Sequence, residues 1–131
     1  MQRVIIIDGH SVIHSTAVLE QLHAQDMYSA RVKLHRDLSD FQCISDYSVL
    51  IVFDGKGAKT SKERGSDSEA MVIYSSGGET ADAVIEKLCV KYAQRYDVSV
   101  VSNDRMVLDS VSASGGFSMS VRHFWEIVES C

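Results

Sequence analysis

The sequence predicts an α/β fold, a central and mostly parallel sheet of four to five strands with helices on both faces. Short continuous runs of β-branched residues, the pattern of strands buried on both faces, recur along the chain. Helical periodicities separate these runs, which is the alternation that builds parallel sheets. With 131 residues, 45% hydrophobic and 24% charged, the composition suits a single domain over 1–131 with its own core.

Val4–Ile7 is the first strand, followed by a helix over Ser11–His23 with Val12, Ala17, Val18 and Leu22 on one side. A second helix covers Tyr28–Cys43, where Val32, Leu34, Leu38 and Phe41 are spaced as an apolar stripe. Val49–Phe53 reads as a buried strand, and Gly55–Glu69 as a long polar loop of Gly, Ser, Lys and Glu. Ala70–Tyr74 is a further strand, and the Gly77-Gly78 turn precedes the strongest helical pattern, Thr80–Tyr96. Val98–Val101 is a strand, Arg105–Val111 a short helix, Phe117–Ser120 a short edge strand and Val121–Glu129 a closing helix. Phe124 and Trp125 belong to the core.

Several function classes are excluded early. No apolar run approaches the roughly 20 residues of a membrane helix. The opening apolar run lacks the length and cleavage site of a signal peptide, so the expected location is cytoplasmic, with no membrane partner. Cys43, Cys89 and Cys131 are far apart and form no Cys-x-x-Cys pair, so zinc knuckles and disulfide frameworks are not indicated. Cys43 and Cys89 read as small core residues. A net charge of −5 argues against coating nucleic acid by charge alone. A phosphotransfer receiver needs a paired acid cluster early and a lysine late, whereas Asp8 stands alone and no lysine follows Lys91.

The chemistry concentrates in acids. Three strands run into an aspartate as they end: Asp8, Asp54 and Asp104. Glu79 and Asp82 lie around the start of the helix after Gly77-Gly78. In a parallel sheet the carboxyl ends share one edge, so these five acids converge on one crevice. Crowded carboxylates need a cation or protons, and oxygen donors without His or Cys favour Mg²⁺ or Mn²⁺. Taken singly, each acid also suits a turn or a helix cap. Lys56, Lys59, Lys62 and Arg64 follow Asp54, and Arg105 follows Asp104, placing positive charge where phosphates would lie. Arg31, Lys33 and Arg36 read as a solvated helix face, and His10 and His14 as polar surface at a helix start.

The string Ile5-Ile6-Ile7-Asp8-Gly9-His10-Ser11-Val12-Ile13-His14 resembles the opening of the YacP-type NYN-domain nucleases, relatives of the PIN domains. Phe53-Asp54-Gly55, Gly78-Glu79-Thr80-Ala81-Asp82 and Ser102-Asn103-Asp104-Arg105 follow in the family's order and spacing over nearly the whole chain. The resemblance implies a PIN-like three-layer α/β/α sandwich. It also implies a metal-dependent endoribonuclease, a hydrolase of RNA phosphodiester bonds using Mg²⁺ or Mn²⁺. Carried over by position, Asp8, Asp82 and Asp104 would be the catalytic and metal-site acids, with Glu79 as a further ligand. Ser11, Asp54 and Asn103 would support substrate, beside the basic Arg105, Lys56 and Lys59. RNA is the expected partner, and a homodimer is compatible with the fold. Ser11 stands where the family usually carries Asn. This departure motivates the alternative, a catalytically inactive RNA-binding or assembly module on the same fold.

Overall fold

Six strands and six helices follow one another in a computed structural model that describes residues 2–57, 61–63 and 68–131. The strands are β1 (Arg3–Asp8), β2 (Tyr47–Gly57), β3 (Ser61–Glu63), β4 (Met71–Ser76), β5 (Asp97–Val101) and β6 (Phe117–Met119). The helices are α1 (Gly9–His14), α2 (Ala17–Gln25), α3 (Met27–Ile44), α4 (Ala81–Ala93), α5 (Arg105–Ala113) and α6 (Val121–Glu129). The strands form a single sheet in the order β3-β4-β2-β1-β5-β6, in which β4, β2, β1, β5 and β6 are all parallel.

The continuous Val4–Ile7 run makes β1 the middle of the molecule. Ile5 and Ile7 point into one core cluster with α1, α2, α3 and α6, while Val4 and Ile6 point into the other with α4 and α5. Ile5, Ile6 and Ile7 are all fully buried, and each contributes about 1.5–3 kcal/mol from burial alone. The result is the expected three-layer α/β/α arrangement, and it puts the ends of β1, β2, β4 and β5 along one edge.

Four expectations are corrected. The first predicted helix is two helices, α1 and α2, broken at Ser15-Thr16. The Thr16 hydroxyl donates to the Val12 carbonyl at 2.6 Å and accepts from Trp125 Nε1 at 2.8 Å, which holds the turn against α6. The break rotates the apolar face, so Leu19 is buried and Val18 is exposed. On α3 the buried stripe is Ala30, Leu34, Leu38 and Phe41, and Val32 faces solvent because it lies between the turns of that stripe. Within the predicted polar loop, β2 continues to Gly57 and β3 pairs antiparallel with β4. A sheet edge needs only backbone partners, so a polar segment can supply one without an apolar face. Cys89 is buried as expected, but Cys43 is exposed at the end of α3. Among the described residues, no helix is long and apolar enough to cross a membrane.

Gly9 is the hinge between the sheet and the site. A Cβ there would overlap the Phe53 ring, so α1 can leave β1 only where no side chain intervenes. Gly9→Ala is therefore expected to cost about 1–3 kcal/mol of stability through overpacking, measured by urea denaturation. An unchanged midpoint would show that the ring yields freely.

Candidate active site

Asp8 ends β1 and is 4% exposed, an anion at the sheet edge that must be compensated. Its Oδ2 accepts the Ser11 hydroxyl at 2.9 Å and the Ser102 hydroxyl at 2.8 Å, and Oδ1 accepts the Ser11 amide at 3.4 Å as the N-cap of α1. Each serine oxygen in turn accepts a backbone amide, Ser11 from Asn103 at 3.2 Å and Ser102 from Asp104 at 3.0 Å. Because a carboxylate oxygen only accepts, each hydroxyl turns its proton to Asp8. Ser102 follows Val101, which pairs with Ile7, so the register itself sets the second serine level with Asp8.

The loop leaving β5 carries the next acid. Asp104 caps α5, its Oδ1 accepting the Met106 amide at 2.9 Å. Asn103 is engaged at both ends of its amide, donating to Ser15 Oγ at 2.8 Å and accepting from the Val121 amide at 3.1 Å. It thus ties the end of α1 to the start of α6.

Asp54 stands one residue past the buried part of β2. Its Oδ1 accepts the Ala81 amide at 2.9 Å and the Ser75 hydroxyl at 3.4 Å, which fixes the first turn of α4 against the ends of β2 and β4. Thr80 caps the same helix through the Ala83 amide at 3.1 Å. Asp82, one residue beyond Ala81, is thereby brought into the crevice.

A cavity of about 460 Å³ is lined by Asp8, Asp54, Asp82 and Asp104 together with Ser11, Asn103, His10 and His14. Partial burial, then the charges of Asp104, Asp8 and Asp54 and a hydrogen bond shared with Asp104, raise the pKa of Asp82 above the ordinary carboxylate value. Among the described residues, no lysine or arginine lines this cavity. The donor chemistry, several carboxylate oxygens around one cavity, suits a hard divalent cation. Among the described residues no three His, Cys, Asp or Glu side chains already stand as a metal cage. Mg²⁺ does not require one, since it keeps several waters and takes one or two carboxylates.

Of the residues singled out in the sequence, Asp8, Asp54, Asp82, Asp104, Ser11 and Asn103 meet in this cavity. Glu79 does not line it, and its carboxylate pairs with Lys87 instead. Arg105 is exposed at the start of α5, outside the lining. The side chain of Lys56, and Lys59, Lys62 and Arg64 as site residues, lie outside the described residues. The histidines are what the sequence reading undervalued. His10 and His14, one turn apart on α1, form part of the cavity wall, their rings 4.4 Å apart, and His23 lies 4.6 Å beyond His14. Burial and the neighbouring imidazoles lower the pKa of His14. The i, i+4 spacing was visible in the chain, but the break that folds α2 back beside α1 was not.

Asp82 holds its proton to higher pH in the folded protein than in the unfolded chain. The folded state therefore binds more protons, and stability falls as pH rises through that range. Metal-free Asp82→Asn is expected to be more stable than metal-free wild type near pH 7, by less than about 1 kcal/mol because solvent and salt screen the site. The difference should vanish below about pH 3, where the carboxyl is protonated in both states. Thermal melting across pH checks this, and a wild type more stable than the variant at pH 7 without metal would contradict it.

Residues 5–131 match the YacP-like NYN domain family. The uncharacterised protein YacP of Bacillus subtilis (strain 168) is 25% identical over 127 residues, covering 96% of this chain and 75% of its own length. Two crystal structures of Rae1 (YacP) from Bacillus subtilis superpose on the fold. One, a W164L mutant, gives a TM-score of 0.81 at 24% identity, and the other 0.78 at 27%, each covering 97% of this chain and 74% of its own. The match runs through every strand-end acid described above, and the chain belongs to the YacP-like NYN domain family, with its PIN-like nuclease fold.

Proposed function

We propose that this protein is a metal-dependent endoribonuclease, hydrolysing RNA phosphodiester bonds at the cavity walled by Asp8, Asp54, Asp82 and Asp104. The observation that carries the proposal is the gathering of four aspartates from three strand ends and one helix start into one cavity that, among the described residues, no lysine or arginine lines. A fold with no chemical use for that charge would gain by replacing it. The family's nuclease fold supports the same reading.

Asp82 and Asp104 are the acids best placed to hold a divalent ion, with Asp8 Oδ1 as a third oxygen. A bound Mg²⁺ or Mn²⁺ would supply charge stabilisation and a water acidified toward neutral pH. Asp8 has a second task, holding Ser11 and Ser102 so that the turn bearing Asp104 stays against β1. Asp54 orients the start of α4 and, through it, Asp82. His14, whose pKa is lowered, presents a neutral imidazole to the cavity near pH 7, able to accept a hydrogen bond from a water or a ribose hydroxyl.

A catalytically silent RNA-binding module is the second reading. It is favoured by the absence, among the described residues, of a preformed metal cage. The two are separated by incubating generic single-stranded RNA with Mn²⁺ or Mg²⁺. Cleavage that stops on chelation, and falls about 100-fold or more in Asp82→Asn and in Asp104→Asn, is the expected result. Binding without turnover under either metal would favour the silent module. Cleavage surviving both substitutions would place the chemistry elsewhere. Asp8→Asn is a poorer probe, because an amide cannot accept three donors in the same way and costs about 1–3 kcal/mol of stability.

Metal affinity should also be readable without turnover. Added Mn²⁺ is expected to raise the melting temperature of wild type and leave Asp82→Asn nearly unmoved. Equal shifts in both proteins would remove Asp82 from the proposed ligand set.

A further inference from the structure

A cavity walled by four aspartates repels a polyanion, so a strand laid across it needs fixed positive charge nearby. Lys87 is committed to Glu79, and Arg105 is exposed and unanchored. One cation differs from these. Arg31, in the first half of α3, is half-buried, with its guanidinium carbon 4.6 Å from the centre of the Phe53 ring and 5.8 Å from that of Tyr74. The two rings are themselves stacked, 6.0 Å apart. Among the described residues the Arg31 guanidinium makes no ion pair and no hydrogen bond.

The position of this stack follows from the fold. Phe53 immediately precedes Asp54 and packs on Gly9, which immediately follows Asp8. Tyr74 pairs with Phe53 across β2 and β4. Neighbouring strands lie about 4.8 Å apart, so the stack stands beside the acidic cavity, at the same sheet edge and toward β4. A guanidinium lying on an aromatic face uses its plane for the contact and keeps its N–H donors at the rim. That is the geometry a phosphate accepts, two parallel hydrogen bonds to two oxygens.

We propose that Arg31 is a phosphate-binding residue for the RNA strand, holding a phosphate next to the scissile one on the β4 side and so fixing the direction in which the strand crosses the cavity. The proposal rests on the nuclease reading of the acids. It replaces the expectation that Arg31 belongs to a solvated helix face.

The test is binding of a labelled single-stranded RNA, followed by fluorescence anisotropy across a series of salt concentrations. Asp82→Asn serves as the parent, so that the RNA stays intact. Arg31→Met is expected to weaken binding about tenfold and to reduce the slope of log K against log salt by about 0.7, the loss of one phosphate contact on a single strand. Arg31→Lys, which keeps the charge, should retain the parent slope. A purely structural arginine would change stability without changing that slope. An unchanged slope in Arg31→Met, or a slope in Arg31→Lys equal to that in Arg31→Met, overturns the proposal. Should melting show that Arg31→Met does not fold, Arg31→Gln takes its place with the same expectations. If wild type cleaves RNA while the slopes do not differ, only the subsite is refuted. If wild type neither binds nor cleaves RNA, the nuclease reading fails and this proposal fails with it.

Discussion

The buried carboxylate of Asp8 and the two serine hydroxyls it accepts set the frame on which the rest of the site is built. An ionised group with 4% exposure is tolerated only with its oxygens satisfied. Ser11 and Ser102 do this side by side at Oδ2, their hydroxyl oxygens 3.2 Å apart, one from the helix that follows β1 and one from just past the neighbouring strand β5. Because each serine also receives an amide from the turn at Asn103-Asp104, three chain segments meet at one anion. Asn103 extends the same network to Ser15 and Val121. The acids thus divide the work, Asp8 and Asp54 holding backbone in place while Asp82 and Asp104 present charge.

That division explains how a destabilising cluster persists. The mutual repulsion felt by Asp82 is real, but it sits at the first turn of α4, where the helix dipole and exposed amides favour a negative charge. Asp104 likewise occupies the N-cap of α5. Helix starts let the fold carry crowded carboxylates that a flat surface would not keep together, and the residual unfavourable charge is confined to a small, partly open cavity.

Much of this was legible in the chain. The Val4–Ile7, Val49–Phe53 and Val98–Val101 runs identify strands buried on both faces, and an aspartate after each leads to a shared edge by topology alone. Thr80 before Ala81-Asp82 signals a helix start through its cap. What was hidden depends on contacts between distant segments. Thr16 ends α1 because Trp125, far along the chain, reaches its hydroxyl. Glu79 lies close to Asp82 in sequence, just before the cap of α4, yet pairs with Lys87, two turns along that helix. Arg31 reads as one of several surface cations until Phe53 and Tyr74 are seen beneath it. Periodicity reports which face is apolar, and it does not report what a polar residue finds across the fold.

The short antiparallel strand β3 has a consequence for handling the protein. It occupies the outer rim of β4, where a parallel strand would otherwise present a row of free amides and carbonyls to solvent. Trimming the polar segment around it, as is common when preparing a sample for crystallisation, would leave the acids of the cavity intact while uncovering that row. The shortened protein would keep its fold at low concentration and pair with itself as concentration rose, through β4 meeting β4.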